Sequence, residues 1–248
     1  RRILEAMQLP GNVSLPVFLI GDTFNRVVFE SHGYTIGLGD RLLHTIHQLC
    51  PEFMTTELCA YTCDACDIAR RTGVTRIELC AAPFEGGTTP SAGLIRYARS
   101  LPGLRLSVMI RPRGGDFCYT DAETALMAEE IRFARACGAD GVVLGVLTPD
   151  GEVDETRTAQ LVREAEGMEV TFHRAFDMTR DPRQALEAVI RTGCRRVLTS
   201  GGRNTAQEGV GTLRALAAQA AGRIEIMAGS GVNPSNARLL AATGVDAL

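Results

Sequence analysis

Two short segments, Glu57-Leu-Cys59 and Glu78-Leu-Cys80, each set a carboxyl and a thiol two residues apart in an apolar run. In an extended strand, residues i and i+2 point to one face, and neighbouring strands lie about 4.8 Å apart. Matched side by side, Glu57, Glu78, Cys59 and Cys80 would form one cluster. Adjacent thiolates suit a soft ion such as Cu(I), or Zn(II), and paired carboxyls suit acid–base chemistry. Cysteine also packs as a small hydrophobe, so the pair alone leaves metal binding and simple burial both open.

A second concentration of chemistry is Arg111-Pro-Arg-Gly-Gly-Asp-Phe-Cys-Tyr119, directly after the apolar Leu106–Ile110. Arginine presents a fixed fork of donors to carboxylate or phosphate, which makes Arg111 and Arg113 candidate anion ligands. Each can equally pair with a nearby acid, Glu78 or Asp116. The pattern recurs where Val170–Phe172 runs into His173, Arg174 and Asp177. His173 and Asp177 join Glu57, Glu78 and Arg111 as candidate catalytic groups, and Arg174 joins Arg113 as a candidate anion ligand. Gly-rich turns at Thr199-Ser-Gly-Gly202 and Ala228-Gly-Ser-Gly231 add Ser200, Gly201, Gly229 and Gly231 as backbone contacts for an anion. The loop Glu85-Gly-Gly-Thr-Thr-Pro-Ser91 has the same makeup, but as a motif it is weak. Cys63 and Cys66 have redox spacing but no second pair, and they fall on a helix. His44 and His47 read as a solvated helix face.

To gather such residues, the elements carrying them must end on one face. From Glu57 the chain alternates strand and helix. The strands are expected at 57–61, 76–80, 106–111, 141–147, 169–176, 196–200 and 224–229, with His173 inside the fifth. The helices are expected at 63–71, 91–100, 121–136, 155–166, 182–191 and 205–221. Phrases such as Cys137-Gly-Ala-Asp-Gly141 and Thr192-Gly-Cys-Arg-Arg196 end a helix on glycine and enter the next strand. This is the punctuation of an α/β protein of the (β/α)8 TIM-barrel type, whose site lies at the C-terminal strand ends. Val245–Leu248 begins an eighth strand, and the chain is expected to stop inside it.

The 248 residues suffice for one large domain. A net charge of −3 and the absence of a basic run give no reason to expect nucleic acid, and no apolar stretch approaches a membrane span. The eight cysteines are few for this length and sit in or beside regular elements, which points to reduced thiols and a cytoplasmic setting.

Residues 1–53 do not fit the repeat. Two strands, around 15–20 and 26–29, and a helix from Asp40 to Leu49 resemble the C-terminal third of a thioredoxin-like domain. The catalytic half of such a domain is missing, so no redox activity follows. A fused piece of another domain, with Met54 as a native start, and a plain N-terminal extension both remain open. The domain division is therefore 1–53 and 54–248.

The motifs ELCAAPFEGGTTPS, MIRPRGGDFCYTD, VTFHRAFDMTRDP, RVLTSGG and MAGSGV together resemble the CutC family, the copper homeostasis proteins, over residues 54–248. The resemblance implies a TIM barrel in a cytoplasmic homodimer that handles copper, with Cys59 and Cys80 as the Cu(I) thiolates. It also implies that a histidine-bearing eighth strand lies beyond Leu248. The glutamates, arginines and histidine exceed what two thiolate ligands require. They support an alternative, a barrel enzyme acting on a small phosphate- or carboxylate-bearing substrate.

Overall fold

A computed structural model describes residues 54–72 and 74–248, together with the backbone of two N-terminal strands. Those two, β1 (Val17–Gly21) and β2 (Val27–His32), pair antiparallel and coincide with the strands expected there. The expected helix at 40–49, with His44 and His47, lies outside the described residues, as does any test of the thioredoxin-like resemblance.

From Glu57 the strands are β3 (Glu57–Ala60), β4 (Arg76–Leu79), β5 (Arg105–Met109), β6 (Gly141–Leu144), β7 (Glu169–Phe172), β8 (Arg196–Thr199) and β9 (Glu225–Ala228). They form one sheet in sequence order, every pair parallel. Helices α1 (Cys63–Thr72), α2 (Ala92–Ser100), α3 (Asp121–Ala136), α4 (Glu155–Glu164), α5 (Pro182–Thr192), α6 (Val210–Ala220) and the short α7 (Ala237–Ala241) connect them. The eighth position is filled by the last residues. Ala247 bridges Met227 on one side and Thr55 on the other. Asp246 N–H donates to Ile226 O at 2.8 Å, and Glu57 N–H donates to Leu248 O at 2.9 Å. Even this short segment therefore closes the barrel, and closure leaves no open sheet edge.

Local chemistry explains the boundaries. Thr120 and Glu123 form a reciprocal capping box that starts α3, and Asp181 caps α5 ahead of Pro182. Two expectations shift. β7 stops at Phe172, and His173 lies outside the strand as the cap of a 3-10 turn, Arg174–Met178, its Nδ1 accepting from Ala175 N–H at 3.2 Å. A side-chain acceptor there diverts the backbone from the ladder. Helix α6 begins at Val210, not Thr205, because the chain first turns tightly over the end of β8. A Cβ on Gly209 would lie 1.8 Å from Ser200 O, so only glycine permits that approach.

The core fills the space between sheet and helices, with Ile77, Leu106, Leu144, Phe172 and Leu186 fully buried. The N-terminal strand ends are tied by buried charge, since Arg196 binds Glu169 at 3.2 Å and Glu225 at 2.6 Å. Truncating Phe172, at the end of β7 beneath the site, removes a large buried ring. Phe172→Ala is expected to cost about 3–5 kcal/mol of unfolding free energy in urea. A loss near zero would show that this end of the barrel is not tightly packed.

Candidate functional site

Residues from the C-terminal ends of the strands line a cavity of about 640 Å³, within the size range of small-molecule sites. Its wall includes Glu57, Cys59, Glu78, Arg111, His173, Arg174 and Asp177, together with Gly229 and Gly231 from the turn after β9. With Leu198 of β8, six strands of the barrel contribute to one space.

The register of β3 against β4 decides how the thiols meet. Glu57 pairs with Arg76 and Cys59 with Glu78, so equivalent positions of the two motifs are offset by two residues. The expected side-by-side match of Glu57 with Glu78 therefore does not occur. Barrel strands are staggered by the shear that closure demands. Glu57 makes an ion pair with the buried Arg76, leaving Cys59, Glu78 and Cys80 as the tight group. The two Sγ atoms lie 3.7 Å apart, and Cys80 Sγ lies 3.7 Å from Glu78 Oε2. One ligand atom from each of the three residues falls within 4.8 Å of the others.

The electrostatics favour one thiolate and oppose a second. The Cys80 thiol beside it lowers Cys59 to about 7, against the opposing effect of burial. Its own proximity to Cys59, reinforced by burial, raises Cys80. Glu78 is raised well above the usual carboxyl range by burial, then by the negative charge of Cys59. Tyr61 closes this wall, packed against Cys80, Met109 and Val143. Its phenol is raised by burial.

Arg111 is buried and holds the loops of the mouth. Its Nη1 donates to Glu85 O at 2.6 Å and to Gly87 O at 2.9 Å, and its Nη2 donates to Gly115 O at 3.0 Å. Neither Glu78 nor Asp116 pairs with it. The guanidinium stacks on Phe117 at 4.8 Å, and Phe117 packs against His173 at 4.9 Å between ring centroids. His173 is buried, and burial followed by the charge of Arg111 pushes it down to about 3. A Cβ on Gly145 would lie 2.6 Å from His173 Nδ1, so the ring rests directly on that backbone.

Other candidates hold structure. Arg113 does not line the cavity. It pairs with Glu123 at 2.6 Å and Asp116 at 3.1 Å, and lies over the Tyr119 ring. Asp177 accepts from Thr199 Oγ1 at 2.5 Å, from the N–H groups of Ser200 and Gly202, and from Arg174 Nε at 2.8 Å. Ser200 therefore wraps Asp177, Gly201 N–H donates to Thr199 Oγ1 at 2.9 Å, and both lie outside the cavity wall. Cys63 is exposed and Cys66 is buried against the barrel, and the described cysteines are all free. Sequence reasoning missed Tyr61, Met109, Phe117 and Met227. Each looks like an ordinary core residue, and only the closed barrel brings them to the wall.

Residues 54–248 match the CutC family model. The chain belongs to the CutC family. A family protein named CutC from Bacteroides thetaiotaomicron is 51% identical over 191 residues, covering 76% of this chain and 77% of the relative. Its counterpart in Chromobacterium violaceum is 50% identical over 189 residues, covering 76% of each. A Streptococcus agalactiae structure, solved as a proposed copper homeostasis protein CutC, superposes with a TM-score of 0.74 at 35% identity. That match covers 78% of this chain and 96% of the other. Deoxyribose phosphate aldolase from Aeropyrum pernix, at 16% identity and TM-score 0.59 over 83% of this chain and 90% of the other, shares the barrel fold alone. Among the described residues, no helix is long and apolar enough to cross a membrane.

A thiol lowered to about 7 gains thiolate as pH rises through that value, well before an ordinary cysteine does. Iodoacetamide labelling of Cys59 in the reduced, metal-free protein is expected to reach half its maximal rate near pH 7. A midpoint close to 9 would show that Cys80 gives it no help.

Proposed function

We propose that this chain is a cytoplasmic, homodimeric copper homeostasis protein that binds Cu(I) through Cys59 and Cys80, with Glu78 as a third ligand. The observation that carries this reading is the 3.7 Å separation of the two sulfurs. Two metal–thiolate bonds of roughly 2.3 Å reach across any gap up to about 4.6 Å, so one ion can touch both. The donor set fits the metal in kind as well, because soft thiolates select Cu(I). Cys59 ionises readily, and a bound cation would supply the charge that makes loss of the Cys80 proton favourable. Glu78 contributes an acceptor oxygen at hand, though a hard one. The relatives' shared name and the streptococcal structure's description support copper as the metal. For the dimer, the fully exposed Phe84 at the barrel mouth offers an apolar contact.

Titration of the reduced protein with Cu(I) against a competing chelator tests this reading. About one ion per chain is expected, falling to none in the Cys59→Ser/Cys80→Ser double variant, because the soft ligand pair is the whole driving force. Full binding by the double variant would move the metal elsewhere, and no binding by the parent would end the copper assignment.

A further inference from the structure

We propose that the barrel mouth holds a second ligand apart from the thiol pair, a small organic monocarboxylate bound between His173 Nε2–H and the Arg111 guanidinium. The inference requires only that the cavity is a ligand site, and it does not depend on copper.

The tautomer of His173 follows from its contacts. Nδ1 accepts the Ala175 N–H, so its lone pair is in use and the ring proton sits on Nε2. The ring stays neutral at any ordinary pH because burial and Arg111 oppose its charging. Nε2–H is then a donor on a side chain only 4% exposed, lining the cavity, and no described group accepts from it. A buried donor without a partner costs free energy comparable to a lost hydrogen bond, which a bound acceptor would recover.

Arg111 supplies the charge. It is 5% exposed and its hydrogen-bond acceptors are neutral backbone carbonyls, with no carboxylate among the described residues within ion-pair distance. Its Nε has no hydrogen-bond partner among the described groups, with the Tyr119 hydroxyl close by. A buried arginine without a counter-ion is costly, and an incoming anion would relieve that cost.

The class of anion follows from the charge count along the lining. Glu57 is neutralised by Arg76, and Arg174 by Asp177 at 2.8 Å. Arg111 is thus a buried cation of the lining with no acidic partner among the described residues, and together with His173 Nε2–H it offers one donor to each of the two oxygens of a carboxylate. Met109, Phe117, Leu198, Met227 and Leu248 give the rest of the cavity an apolar surface, suited to a short carbon body.

The test follows the histidine side-chain resonances of the reduced, metal-free full chain by 1H–15N spectroscopy. Sodium acetate is the probe, with sodium chloride and inorganic phosphate as parallel titrations at matched ionic strength. A saturable shift of the His173 Nε2–H resonance is expected with acetate and not with chloride. His173→Asn keeps an acceptor for the Ala175 N–H but removes Nε2–H, so acetate binding should weaken about tenfold, the loss of one charge-assisted hydrogen bond. His173→Gln, which can return an N–H near the Nε2 position, should recover part of it. Binding is read for these variants from the backbone shifts of Gly229 and Gly231, so that the imidazole is not needed as reporter. Acetate binding should persist in the Cys59→Ser/Cys80→Ser protein, which separates this site from the copper site. No saturable shift with acetate, equal affinity in His173→Asn, or saturation by phosphate alone would each overturn the proposal.

Discussion

The two-residue offset between β3 and β4 is the constraint on which the site depends. A closed barrel cannot keep equivalent positions of successive strands level, because closure requires a fixed shear. With the offset, Cys59 stands beside Glu78 and Cys80 rises one step above it, so the two sulfurs converge diagonally to 3.7 Å. Glu57 falls one step lower and meets Arg76. Without the offset, each thiol would face its equivalent and two unpaired glutamates would share the interior, a costly arrangement in a low-dielectric space.

The rest of the mouth is organised by the way buried charge is answered. Arg76, Arg196 and Asp177 are each paired with groups of opposite charge, and they hold strand ends and turns in place. Arg111 and His173 are buried to the same degree, yet each keeps an N–H without a partner. Buried polar groups are normally satisfied, and Arg111 and His173, unlike Arg196 and Thr158, line the cavity, where a bound ligand would answer them. The stack of Arg111, Phe117 and His173 fixes these groups relative to one another, and Gly145 leaves room for the imidazole at its back.

Much of the fold is legible in the sequence, because strand and helix alternate with glycine stops that need no tertiary context to recognise. Cys59, Cys80, Arg111 and His173 could also be singled out, as polar or thiol side chains ending apolar runs. Their mutual placement could not. The register offset belongs to the closed barrel, not to either motif, and it separates Glu57 from Glu78. The cap at His173 depends on a side-chain acceptor replacing one ladder step. Arg113 and Ser200 look like site residues in the sequence, since only distances show that Glu123 and Asp177 occupy them. Val245–Leu248 could be read as the start of an eighth strand, but that so short a segment closes the barrel through Ala247 shows only in the structure.

The central claim is that one soft ion is held by two sulfurs from adjacent strands. X-ray absorption at the copper edge, on reduced protein loaded with one equivalent of Cu(I), counts those sulfurs directly. Two sulfur neighbours are predicted for the parent protein, and one for Cys80→Ser. Copper bound only by nitrogen and oxygen, or a sulfur count unchanged in that variant, would contradict the account.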